Sequence, residues 1–307
     1  MSGAELTLLA TLGVMSGHTG YGLSLAAYEP SLGDTVEVFS ELVYPLSFIV
    51  AGAQARLDGP PDGGLRWAIV AEGLTNLGDP DGEFEDSDHL AIPSSNVPKT
   101  LFSYTQSAVE AQVYVGDGSL RIVVHESEGP HGPMRLELMA GYRQERYRYD
   151  AFGFHGWQLG PRGRRLPRGL SDDVHVLRYT AVRHLPYVGV GAVDDSLGPF
   201  RLEREARLLA VITDDFDEHL LRHKEGFSRS IGVGLLVRVA ARREYEHALL
   251  GIRADLELLH AEGILEQEYL EDDPSLPGDQ ADQEIPDSNF EVDQFGLTVM
   301  FEIGKAF

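Results

Sequence analysis

Alternation of apolar and polar residues with period two runs through most of the chain, and helical periodicity is nearly absent. The last segment shows it best. Phe295, Leu297, Val299, Phe301, Ile303 and Phe307 share one parity, whereas Gly296, Thr298, Glu302, Gly304 and Ala306 share the other with Met300. Lys305 interrupts the apolar parity. Similar stripes run through Leu6 to Val14, Val36 to Val50, Leu136 to Tyr142, Ile231 to Ala241 and Ala248 to Leu258. The pattern predicts ten strands, at 4–17, 35–56, 65–78, 99–127, 133–152, 174–193, 199–214, 228–243, 247–262 and 292–307. Within the fourth, Val109, Ala111, Val113 and Val115 are odd, but Leu120, Ile122 and Val124 are even. A hairpin at Gly116-Asp117-Gly118 would make eleven strands, and bacterial barrels have even numbers, so a bulge is expected there.

The connections alternate in length. Those after even strands are short (58–64, 127–133, 194–198, 243–246), whereas those after odd strands include the long polar stretches 79–98, 152–173 and 263–290. That asymmetry predicts an all-β fold, a ten-stranded antiparallel transmembrane β-barrel spanning 1–307 as one domain, with both termini on the short-turn side. Its apolar stripes would meet lipid, and the Arg and Glu of the other parity would pair inside. A β-sandwich, whose stripes meet in a core, is the competing fold.

Composition narrows the chemistry. There is no cysteine, which excludes disulfides and thiolate sites. The net charge of −24 makes nucleic acid a poor partner and cationic peptides attractive ones. Leu6 to Val14 carries Glu5 where a signal peptide has a basic flank, so it is expected to belong to the mature barrel.

Two acidic clusters fall in long connections after odd strands, namely Asp79 to His89 and Asp214-Asp215-Phe216-Asp217-Glu218-His219. Asp86 and Asp88 are two residues apart, as are Asp217 and His219, so each pair shares a face in extended backbone. Strands three and seven lie four apart in a ring of ten, so the pairs can face each other across the barrel mouth. Such a constellation can hold a water between an imidazole base and a carboxylate. A solvated acidic loop explains the same residues without chemistry. A calcium loop at Asp79-Pro80-Asp81-Gly82 misses the ligand spacing, and a zinc site using His89 and His219 has no spacing signature.

The chain resembles the omptin family of outer-membrane endopeptidases. Leu138-Met139-Ala140-Gly141-Tyr142 and Glu145-Arg146-Tyr147 resemble its fifth strand, and Pro186-Tyr187-Val188-Gly189 its sixth. Asp86-Ser87-Asp88, followed by Ser94-Ser95-Asn96, resembles its Asp pair, and Asp215-Phe216-Asp217-Glu218-His219 its second acidic segment. The resemblance implies an aspartic-type endopeptidase in the outer membrane, with its site facing the exterior. Asp217 and His219 would form the dyad, His219 being the general base. Asp86 would help hold the water, and Asp88 would support that carboxylate or bind the scissile region. No metal, cofactor or covalent intermediate is implied. Cationic polypeptides would be the substrates and lipopolysaccharide a partner, on which activity in the family depends. Asp215 matches a substrate-binding Asp, but Tyr21 stands where the family has a Glu, so the pocket for the residue before the scissile bond has at most half its usual charge. Tyr142 and Arg146 match lipopolysaccharide-binding positions, whereas Gln144 replaces an acid and Val182 an Arg, which puts lipopolysaccharide dependence in question. Two other functions compete: a non-catalytic barrel (adhesin or structural), and a lipid hydrolase, for which no nucleophile motif is visible.

Overall fold

The structure, a computed structural model, describes residues 4–29, 33–60, 64–92, 97–129, 132–160, 163–246, 248–270 and 284–307. Where side chains alternate in character, the chain is extended, because only period-two backbone sends successive residues to opposite environments. The strands are β1 (Glu5–Glu29), β2 (Asp34–Pro45), β3 (Phe48–Asp58), β4 (Trp67–Asn76), β5 (Phe84–Ile92), β6 (Val97–Glu128), β7 (Pro133–Leu159), β8 (Arg165–Leu197), β9 (Phe200–His219), β10 (Lys224–Glu244), β11 (Leu249–Tyr269) and β12 (Glu284–Ala306). Sequential neighbours pair antiparallel, and β12 closes on β1. β1 pairs with β3 low in the wall and with β2 higher up. Likewise β6 pairs with β4 and then with β5. Thus β2 with β3, and β4 with β5, each act as one interrupted stave, and the ring has ten staves. Closure leaves no unpaired edge. Leu6 and Phe307 exchange backbone bonds of 2.8 and 3.2 Å, which ties the two ends together.

The structure corrects two expectations. Through Gly116-Asp117-Gly118 the pairing with β4 and β7 is uninterrupted, so there is neither bulge nor turn. Odd residues face inward along that whole stretch: Val113 and Val115 are buried, and so are Ser119 and Arg121. What changes is the interior, which is apolar at one height and charged at another. For the same reason the stripe from Leu42 to Val50 does not meet lipid. Leu42, Tyr44, Leu46, Phe48 and Val50 are buried inside the barrel. The second correction concerns the long connections. Asp86 and Asp88 lie within β5, with only Asp79 to Glu83 left in the connection, and Asp214 to His219 complete β9, so both candidate pairs stand on paired backbone rather than in loops. The strands rise well beyond their apolar outer stripes.

Three interior layers result. Lowest is a lattice of ion pairs that includes Arg242 with Glu203 and Glu302, Arg121 with Glu205, and Glu72 with Arg238 and Arg253. Above it lies an aromatic plate. Tyr44 stacks on Phe84 and Tyr179 at centroid distances of 4.7 and 4.8 Å, and Tyr21 lies 5.1 Å from both Tyr179 and Phe290. The acidic cleft sits on that plate. Outside, Leu8, Leu12, Val14, Ile231, Val233, Val239, Phe301 and Ile303 form an exposed apolar band.

Candidate active site

Continuous β9 brings Asp217 and His219 onto the inner face. Asp217 pairs with Gly226 and Tyr179, and His219 with Lys224 and Leu177. The connection to β10 is a single 3-10 turn, Leu220–Arg222, closed by His223 in the left-handed region at φ 48°. Across the ring, β5 is clamped between β2 and β6, with Asp86 opposite Leu42 and Thr105, and Asp88 opposite Ser40 and Ser103. At this height the outer face carries Arg148, Asp150, Arg178 and Glu218 in an ion-pair chain, which marks it as lying outside any hydrocarbon layer.

His219 Nε2 lies 3.0 Å from Asp217 Oδ2, with side-chain exposures of 20% and 4%. The Tyr21 hydroxyl donates to that same Oδ2. Burial pushes the Asp217 carboxyl up, but the charge of His219 and hydrogen bonds from His219 and Tyr21 outweigh it, so the group is held below the usual carboxylate range. Its Oδ1, though buried, has no hydrogen-bond partner among the described residues. Asp86, Asp88 and His219 line one cavity of about 300 Å³. Burial, then the charge of Asp88, raises Asp86 to about 7, against the opposing pull of Arg222 and a 3.4 Å hydrogen bond from Ser40. One carboxyl below its ordinary range and one far above it therefore stand in a single site, an arrangement suited to acid–base work at neutral pH.

The other expected residues are placed as follows. Asp215 is buried below the cleft, with Tyr179 donating to Oδ1 at 2.5 Å and Thr213 to Oδ2 at 2.9 Å. Tyr21 is buried beside Asp217 rather than lining the same cavity. Tyr142 and Arg146 are on the outer wall, where Tyr142 bonds His184 at 2.5 Å. Arg146, Gln144 and Val182 line an outward groove of about 690 Å³. Ser94 to Asn96 lie outside the described residues. Sequence reasoning missed three cations, Arg168, Arg222 and Lys224, which line the cleft with the acids. The signal for two of them was the brevity of the stretch after His219. A four-residue turn must return Lys224 beside His219 on the neighbouring strand. Among the described residues one group has metal-ligand spacing, His260, Glu291 and Asp293, with ligand atoms within 4.8 Å. It lies on the outer wall, apart from the cleft.

No family model matches the chain, and no curated protein matches it in sequence. Among solved structures, the outer membrane protease OmpT from Escherichia coli is similar over 99% of this chain and 97% of that one, with a TM-score of 0.74 and 19% identity. The chain has the fold of that barrel.

Proposed function

We propose that the protein is an outer-membrane endopeptidase of the omptin kind, with its cleft facing the exterior. The observation that carries this reading is the Asp217–His219 pair, whose imidazole lines a cavity shared with Asp86 and Asp88. The apolar outer band supports membrane residence, and the fold it shares with a barrel described as an outer membrane protease supports the reaction class. Because Asp217 accepts from Nε2, that nitrogen carries the proton and Nδ1 is the basic one. Nδ1 takes a proton from a water that Asp86 helps to hold, and the resulting hydroxide attacks the peptide carbonyl carbon. When the tetrahedral intermediate collapses, the imidazolium returns its proton to the leaving amine. Asp88 keeps Asp86 from ionising early. Tyr21 stays protonated, because burial and the charge of Asp217 hold its phenol well above its usual range, so it remains a donor that fixes the dyad carboxylate. The route needs no metal or cofactor. Lipopolysaccharide would pack against the outer wall at Tyr142 and Arg146.

The test is peptide cleavage in detergent with added lipopolysaccharide. Wild-type protein should cut, and His219→Ala and Asp217→Ala should be inactive. EDTA should leave the rate intact, and loss reversed by zinc would replace this mechanism with a metal-dependent one. Full activity in either variant would remove the dyad. An inert wild type would leave a non-catalytic barrel.

A further inference from the structure

Global charge and local charge disagree at the cleft. The chain carries −24, which favours cationic partners at long range. The cavity itself is lined by Arg168, Arg222 and Lys224 against Asp86 and Asp88, with the ionised Asp217 directly behind His219. Fields from the outer surface fade over about 8 Å in physiological salt, so the lining decides which side chain is held next to the reacting atoms.

Resting on the endopeptidase reading, we propose that the cleft selects an acidic side chain beside the scissile bond, held by Arg168, Arg222 and Lys224, rather than the basic side chains that the family resemblance implies. Three observations converge. First, none of the three cations has a carboxylate within ion-pair distance among the described residues, whereas the interior arginines, such as Arg121, Arg207, Arg238 and Arg242, are all paired. Their charge is therefore turned toward the cleft. Arg222 already pulls on Asp86, and burial lowers the pKa of the Lys224 ammonium, which Asp217, Asp86 and Asp88 support against the neighbouring Arg222. Second, the carboxylates that could receive a basic side chain are engaged. Asp215 accepts from Tyr179 and Thr213 and is 2% exposed. Third, Tyr21, where a second acid would stand, is neutral and turned to Asp217. A guanidinium entering here would meet like charge and no free acceptor except the catalytic carboxyls, whereas a carboxylate would find up to three donors.

Three matched peptides, differing only in Asp/Glu, Ala or Arg/Lys on either side of one bond, test this in detergent with lipopolysaccharide. Wild-type protein should cut the acidic peptide with kcat/KM about tenfold above the basic one. The double variant Arg168→Glu/Arg222→Glu should invert that order. Both residues are exposed, so the barrel should fold, which its β-sheet circular dichroism checks. Binding of the same peptides to His219→Ala protein, followed by fluorescence anisotropy, should show the same order without chemistry. Fastest cleavage and tightest binding of the basic peptide, or a preference unchanged by the double reversal, would overturn the proposal. Retained acidic preference in binding with no cleavage by wild type would overturn the endopeptidase reading alone.

Discussion

At the scale of single residues, the cleft works by splitting the behaviour of like groups. Asp217 and Asp86 are both carboxyls near other acids. One is held ionised by an imidazole and a phenol, whereas the other is raised to about 7 by burial and by Asp88. On the proposed reading His219 is the base and its removal should cost about 10²- to 10⁴-fold in kcat, so His219→Ala should leave KM for a good peptide nearly unchanged while kcat collapses. Asp86 makes a separate prediction through stability. In the folded protein it keeps a proton up to about 7, whereas an unfolded chain loses it near ~4. Between those values the folded state binds the extra proton. The contribution of Asp86 therefore becomes less favourable as pH rises through this window and is constant above it. Asp86→Asn cannot ionise, so it should stabilise the protein by up to about 4 kcal/mol at pH 8 and by almost nothing at pH 4. Urea midpoints at the two values check this, and an equal effect at both would show that Asp86 titrates normally. The same substitution should remove from the kcat/KM profile the transition that Asp86 contributes.

At the scale of elements, the sequence was legible where one side of a strand carries the exposed apolar band and the other meets charge. The contrast is then sharp, as in β10, where Ile231, Val233 and Val239 are outside while Arg238 and Arg242 are buried. Val233→Arg should therefore cost about 2–4 kcal/mol in a bilayer or detergent refolding assay if that face lies near mid-membrane. A change below 1 kcal/mol would place Val233 at the interface or in water. Legibility failed above the band, where both sides of a strand are polar or both are packed. β5 is Phe-Glu-Asp-Ser-Asp-His-Leu-Ala-Ile, a composition with weak strand preference that is held extended by its neighbours β2 and β6. The aromatic plate was missed for a related reason. Tyr44 lies in a stripe that reads as outward when lipid is assumed to be the only apolar environment, whereas Tyr149 and Tyr179 share the inward parity of β7 and β8, where no local pattern shows that the three rings meet. The pairs Asp86/Asp88 and Asp217/His219 were legible because a spacing of two fixes the face whatever the surroundings. Arg168 was not, because it stands on the far hairpin of β7 and β8, where no local pattern ties it to the cleft.

At the scale of the whole molecule, the question is what fills a ten-stave barrel below its site. A water-filled lumen and a packed ionic plug both satisfy the inward-facing charges, but they differ in energetics. In water an ion pair contributes little, because each partner is solvated when the other is removed. In a sealed interior the survivor is a buried charge without compensation. The structure gives the sealed case. Arg183, Arg207 and Arg253 are fully buried, and the ion pairs cross between distant staves, such as Arg56 of β3 with Glu137 of β7 at 3.1 Å. Glu72 of β4 is the sharpest place to measure. It pairs with Arg253 and with Arg238, the latter at 3.0 Å, and the barrel shields all three from solvent. If Glu72 is neutralised, Asp255 remains for Arg238 and lies 3.3 Å from Arg253, which keeps only Glu302 at 3.6 Å besides. Glu72→Gln keeps the shape and removes the charge, and it should destabilise the barrel by about 3–5 kcal/mol. Reversible urea unfolding in detergent reads this, and the cleft far above should keep its dyad geometry and hence its kcat. A loss under 1 kcal/mol, or a measurable ion conductance of the intact barrel in a planar bilayer, would mean that water reaches Glu72 and that the lumen is open rather than plugged.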